Sequence, residues 1–127
     1  MAFSRFKEWS AYQKGFRLAQ EIQKHSRSFP KVELYSLTDQ IRRSPRSVCA
    51  NLGEAYGKRV YPKHFSSKIS DAVAENFVTQ VWLDFALRFD YLNSEAHQHV
   101  QSLSEEVGKL LSYMLKNPER FISRPNS

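Results

Sequence analysis

The amino-acid sequence predicts an all-α fold, an antiparallel up-down-up-down four-helix bundle formed by one domain over residues 1–127. Apolar residues recur at three-and-four spacing through four long stretches, which is the period of a helix with one buried face. The chain has only four Gly and five Pro, most of them at the expected ends of these stretches. An all-β fold would need many more turn residues, so long helices are favoured.

The first helix is predicted over about residues 9–28. It ends before Pro30, because a residue that precedes proline is pushed out of the α region and proline has no amide hydrogen to donate. Its buried face is expected at Trp9, Tyr12, Phe16, Ala19, Ile22 and, after a gap, Phe29.

The second helix is predicted over about residues 37–59, with Ser36 as its N-cap. Its buried face is expected at Leu37, Ile41, Val48, Leu52 and either Ala55 or Tyr56. Pro45 allows two interpretations. It kinks one long helix, at a cost of about 3 kcal/mol, or Ser44 caps a new helix that starts at Pro45 and splits the segment in two.

The third and fourth helices are predicted over residues 63–91 and 94–116, with a frayed tail from about residue 122. Pro62 suits the start of the third helix, and Asn93-Ser94 offers a turn and an N-cap before the fourth. The apolar residues of the third helix cover more than one narrow stripe. That width indicates burial on two sides, one in the monomer and one against a neighbouring subunit.

The positive charge of the chain is concentrated in one segment. The net charge is +6, and residues 41–68 alone carry seven Lys or Arg against one acid, Glu54, so the rest of the chain is neutral. Such an excess indicates an anionic partner, with nucleic acid the first candidate and an acidic protein the alternative. Glu54 is expected to pair with Lys58 in the same helix. The candidate nucleic-acid-binding residues are Arg42, Arg43, Arg46, Lys58, Arg59 and Lys63.

The sequence offers no candidate catalytic, cofactor-binding or metal-binding residues, and we therefore expect a protein that is not an enzyme. It has no Glu-x-x-His pair of the kind that builds di-iron sites in bundles, and no Gly-rich phosphate loop. Cys49, the single cysteine, is expected to be a packed, reduced thiol. Without an apolar span or an apolar N-terminal leader, the chain is expected to be cytoplasmic and not bound to membranes.

Several runs resemble the family of 23S ribosomal RNA intervening-sequence proteins. The longest covers residues 37–56 and includes Leu-Thr-Asp-Gln-Ile-Arg-Arg-Ser and Ser-Val-Cys-Ala-Asn-Leu-Gly-Glu-Ala-Tyr. Further matching runs lie at residues 61–65, 74–76, 79–86, 105–111 and 117–121. The chain departs from the family pattern at Pro45, Gly53, Gly57 and Val78.

The resemblance implies an up-and-down four-helix bundle that assembles into a ring of five subunits, and membership of the family does not imply a catalytic activity. It also links the chain to the similar accessory proteins of diversity-generating retroelements, which bind nucleic acid through a basic surface. From the residues and the resemblance together, we expect a homo-oligomer in the form of a homopentamer ring. We expect this ring to bind nucleic acid, and RNA in preference to DNA. The alternative is an interaction scaffold whose basic patch docks an acidic protein.

Overall fold

The computed structural model describes residues 5–122, which form four α-helices, three short 3-10 helices and no strand. The α-helices are α1 (Ser10–Ser26), α2 (Leu37–Gly57), α3 (Pro62–Arg88) and α4 (Ser94–Lys116). The 3-10 helices are Phe6–Glu8, Lys31–Glu33 and Pro118–Arg120. The predicted all-α fold is confirmed, and each predicted helix is found with small shifts of its ends. The tail predicted from about residue 122 lies almost entirely outside the described residues.

Consecutive helices pack against each other, and α1 also packs against α4, which closes a four-helix bundle. The core contains the predicted face of α2, with Ala55 buried and Tyr56 only partly buried. From α4 it contains Val100, Leu103, Val107, Leu111 and Met114. Over the described part of the chain, no helix is both long enough and apolar enough to cross a membrane. The largest fully buried side chain is that of Phe65, in the first turn of α3.

The predicted first helical face is confirmed at Trp9, Ile22 and Phe29, which are buried, but it differs between them. Leu18 and Ile22 are buried with Ala11 and Gly15, whereas Phe16 is 48% exposed. Positions 11, 15, 18 and 22 share the side of α1 that packs in the bundle, and an added Cβ at Gly15 would lie in ordinary contact, 3.4 Å, with the Cys49 sulfur of α2. Position 16 is rotated by about 100° from position 15, so Phe16 lies on the surface.

Helix α2 runs without interruption through Pro45, so the prediction of two shorter helices is wrong. Ser44 does not cap a helix; its hydroxyl is hydrogen-bonded at 2.8 Å to that of Thr79 in α3. Pro45 is itself buried. Packing of a continuous apolar face on both sides of Pro45 outweighs the cost of the proline, which is about 3 kcal/mol. The kink stays a prediction.

Helix α3 has one buried face and one exposed apolar face, and its burial against a neighbouring subunit stays a prediction. The buried face includes two polar residues, Asn76 and Thr79. Asn76 donates to the Ser104 carbonyl oxygen and accepts from its hydroxyl, both at 2.9 Å, which fixes the register of α3 on α4.

Ser36 is the N-cap residue of α2, as predicted, but the side chain that accepts from the first helical amide is that of Glu33. Its carboxylate accepts hydrogen bonds from the Ser36 hydroxyl, the Leu37 amide and the Tyr91 hydroxyl. These bonds, with the Ser36 hydroxyl contributing most, lower the pKa of Glu33 below its usual value of 4.5. At the other predicted cap, the Asn93 side chain accepts from the Ala96 amide at 2.8 Å, so that prediction is confirmed.

The Glu33→Gln substitution is expected to reduce the loss of stability in acid. A carboxyl whose pKa is lowered by folding stabilises the protein above its unfolded pKa, and this contribution is lost as pH falls through the folded pKa. We therefore expect the wild-type Tm to exceed that of the variant at neutral pH and the difference to close below about pH 4.5. Thermal melts from acid to neutral pH measure this, with Glu119→Gln as a matched control. Parallel curves for wild type and E33Q would contradict it.

Candidate nucleic-acid interface

Two of the three predicted arginines of α2 lie against α1. Arg42 donates from Nε to the Ser26 hydroxyl at 2.7 Å, and Arg46 donates from Nη2 to the Gln23 side-chain oxygen at 3.0 Å. Both partners are neutral, so the two guanidinium groups are held in place without losing charge. One helical turn separates the two arginines along α2.

Arg43 lies on the side of α2 that faces α3. It is exposed and forms a loose ion pair with Asp39 in the preceding turn, at 3.8 Å. Together with Arg46, Arg43 lines a groove of about 450 Å³ between α2 and α3. Glu75 and Val78 of α3 also line this groove. An acid in this groove makes it a weaker anion site than the α1 side of α2.

The predicted cations at the link between α2 and α3 form a separate group. Lys58 and Lys63 are exposed, and Arg59 folds back over Tyr56, its guanidinium carbon 3.8 Å from the ring centroid. Arg59 also donates to the Tyr56 carbonyl oxygen at 2.8 Å. Lys58 follows Arg46 by three turns or so, about 18 Å along the helix axis. The six predicted residues thus occupy two areas of the surface rather than one.

Sequence reasoning missed Arg27, which lies at the C-terminal end of α1. We call Arg27, Arg42 and Arg46 the arginine face. Arg27 and Arg46 line a groove of about 570 Å³ between α1 and α2, referred to as the α1–α2 groove. Its remaining lining residues are Phe16, Ala19, Gln20, Gln23 and Cys49. The recurrence of residues 16, 20, 23 and 27 at helical spacing could have revealed this side of α1.

The three arginines of the arginine face form no ion pair within residues 5–122. Within residues 5–122, no carboxylate oxygen lies within 4.0 Å of Arg27, Arg42 or Arg46. Glu54 pairs with Lys68 at 3.0 Å rather than with Lys58, so that expectation is wrong. The hydrogen bond and charge of Glu54 raise the pKa of Lys68. Lys68 therefore adds little free charge to the basic segment.

The other titratable groups serve packing and inter-helix contacts. His97 lies 3.1 Å from Asp84, and His99 lies 3.5 Å from Glu21. Cys49 is largely buried, and burial raises its pKa to about 11, which keeps it a neutral thiol at physiological pH. Across the described range, no three His, Cys, Asp or Glu side chains are grouped closely enough to hold a metal ion.

Comparison with known proteins agrees with the fold. A solved structure of a protein of unknown function from the S23 ribosomal protein family of Bacteroides thetaiotaomicron is similar, with 26% identity and a TM-score of 0.76. The similarity covers 84% of this chain and 95% of the other. No significant match is found among curated proteins. The family model for the 23S rRNA-intervening sequence protein matches residues 7–113. The chain therefore belongs to the 23S rRNA-intervening sequence protein family.

Proposed function

We propose that this protein binds nucleic acid, RNA in particular, without catalysing a reaction, and that it does so as an assembly of identical subunits. The observation that carries this proposal is the arginine face, where Arg42 and Arg46 are hydrogen-bonded to α1 and Arg27 lines a groove with Arg46. No carboxylate of residues 5–122 lies within 4.0 Å of these side chains.

Arginine is well suited to this role because its planar guanidinium presents several donors to phosphate oxygens and is weakly hydrated. Arg42 uses Nε to bond Ser26, and Arg46 uses one terminal nitrogen to bond Gln23. Each keeps further N–H groups for a ligand. The bonds to α1 also limit the side-chain freedom that binding would otherwise remove.

The exposed apolar side of α3 supports self-association. Phe77, Val81, Phe85 and Phe89, which we call the α3 stripe, recur every four residues and are 44–60% exposed. They extend over about 18 Å of the helix. A contiguous apolar surface of this kind is usually covered by a partner, and a second copy of the chain is the partner we propose. The resemblance to the family suggests a ring of five. Several arginine faces on one assembly would bind a long nucleic acid more tightly than one face.

The proposal is tested by removing two charges from the arginine face. Arg42→Gln with Arg46→Gln is expected to weaken binding of a structured RNA by about tenfold or more at moderate salt, because phosphate contacts supply most of the affinity. Fluorescence anisotropy with labelled RNA measures the affinity. The control is Lys116→Gln with Arg120→Gln, which removes the same charge from exposed residues near the C-terminal end of α4.

The control pair should change the affinity by less than about twofold, since a distant surface charge contributes little at moderate salt. Equal weakening by the two pairs would show that net charge alone matters, and would refute a defined arginine face. No binding of RNA or DNA by the wild type would refute the function itself. A pull-down that survives nuclease treatment would instead favour the acidic-protein scaffold.

A further inference from the structure

We propose that the α1–α2 groove takes an unpaired nucleotide strand, with Phe16 as a surface on which a base stacks. This inference rests on the proposed function and names the form of nucleic acid that the site selects. Phe16 is 48% exposed although it lies on a helix of the bundle. It lines the groove with two cations, Arg27 and Arg46, and with the apolar side chain of Ala19.

The chemistry of the groove narrows the choice of occupant. The cations attract an anion, while the exposed aromatic ring and its apolar neighbours favour a flat, weakly polar group. A double helix offers phosphates but keeps its bases stacked and paired inside. An unpaired strand offers both phosphates and free base faces, and aromatic stacking with cationic contacts is the usual way proteins hold such strands.

A strip of aromatic rings continues from Phe16 toward the second group of cations. The ring centroids are 5.9 Å apart for Phe16 and Tyr12, 5.2 Å for Tyr12 and Phe6, and 5.4 Å for Phe6 and Tyr56. Arg59 covers the Tyr56 ring at the end of the strip. The strip therefore connects the arginine face to the Lys58 and Arg59 area, which lies about 18 Å further along α2.

Because the strip of rings is continuous, one strand can contact both cationic areas. At about 3.4 Å per stacked nucleotide, 18 Å corresponds to roughly five nucleotides. A strand of about ten nucleotides would span both areas, and binding sites of this size are usual for single strands. The Arg59 guanidinium covers one face of the Tyr56 ring. Phe16 is the most accessible ring of the strip, and it is therefore the ring that we test.

The test compares an unpaired oligonucleotide of about ten nucleotides with a hairpin duplex, using Phe16→Ala, Phe16→Leu and Phe16→Trp. Alanine and leucine are expected to weaken binding of the unpaired strand by about 5- to 100-fold and to leave duplex binding within about twofold. Tryptophan should retain binding, because it restores an aromatic face. Tyr35→Ala, which removes a ring that is 91% exposed and lies outside the strip, is the control.

The outcomes separate this inference from the proposed function. If Phe16→Ala and Phe16→Leu leave binding of the unpaired strand unchanged while Arg42→Gln with Arg46→Gln weakens it, the stacking role is wrong and the function stands. Equal loss for strand and duplex, or leucine binding as well as wild type, would also overturn stacking. If neither the Phe16 variants nor Arg42→Gln with Arg46→Gln weaken binding of the unpaired strand, the proposed function is wrong as well. Competition by polyglutamate as strong as that by the oligonucleotide would identify an acidic protein as the occupant.

Discussion

Phe65→Ala is expected to destabilise the folded bundle by about 3–5 kcal/mol, the largest effect of any single substitution considered. Phe65 is fully buried, and its ring packs edge-on against Trp9 at 6.2 Å and nearly parallel to Phe121 at 6.5 Å. Truncation removes the transfer free energy of the ring and leaves a cavity between α1, α3 and the segment after α4. Because a domain has only about 5–15 kcal/mol of stability, much of the total would be lost.

Urea denaturation and thermal melts measure this effect, which corresponds to a fall in Tm of roughly 10–20 °C for a chain of this size. Tyr35→Ala is the matched control, since Tyr35 is 91% exposed and should change stability by less than about 0.5 kcal/mol. A Phe65→Ala protein as stable as the control would show that the ring is not in the core. That result would contradict the packing of α3 described above.

Val81→Glu with Phe85→Glu is expected to dissociate the assembly into monomers. Both residues belong to the α3 stripe and lie one turn apart on its exposed side. In an interface they would bury two unpaired carboxylates, and each such burial costs several kcal/mol. We therefore expect self-association to weaken by about 100-fold or more. Light scattering coupled to size-exclusion chromatography measures the subunit number before and after the change.

The control places the same two charges on the exposed side of α4, as Gln98→Glu with Ser102→Glu. This variant should keep the wild-type subunit number. A wild-type chain that is monomeric at all concentrations would contradict self-association, and so would a stripe variant that assembles normally. Because the stripe lies on the solvent side of a folded monomer, circular dichroism should show unchanged helix content for both variants.

The fold was predictable because helical periodicity is a local property. The buried faces of α2 and α4 follow directly from apolar spacing, and Pro62 and Asn93 mark helix starts by their own chemistry. The face of α1 was not predictable in this way. Tyr12 and Phe16 fit an apolar stripe, but the close packing at Gly15 depends on the position of α2. The path of α2 through Pro45 likewise depends on packing against other helices.

The candidate site was predictable only in part. The charges of Arg42 and Arg46 were evident from the sequence. Arg27 lies outside the basic segment along the chain, and it joins Arg46 only through the packing of α1 against α2. The Glu54 pair was predicted within its own helix, yet Lys68 of α3 lies closer. Contacts between helices decide both points, and local spacing contains no information about them.

The central claim, that phosphates bind at the arginine face, is tested most directly by the salt dependence of binding to an unpaired oligonucleotide. The affinity of wild type and of the triple variant Arg27→Gln, Arg42→Gln, Arg46→Gln is measured from low to moderate salt. Each lost phosphate contact reduces the slope of log affinity against log salt by about 0.7 for a single strand. We predict a slope shallower by about 2 for the triple variant, and an unchanged slope would contradict the account.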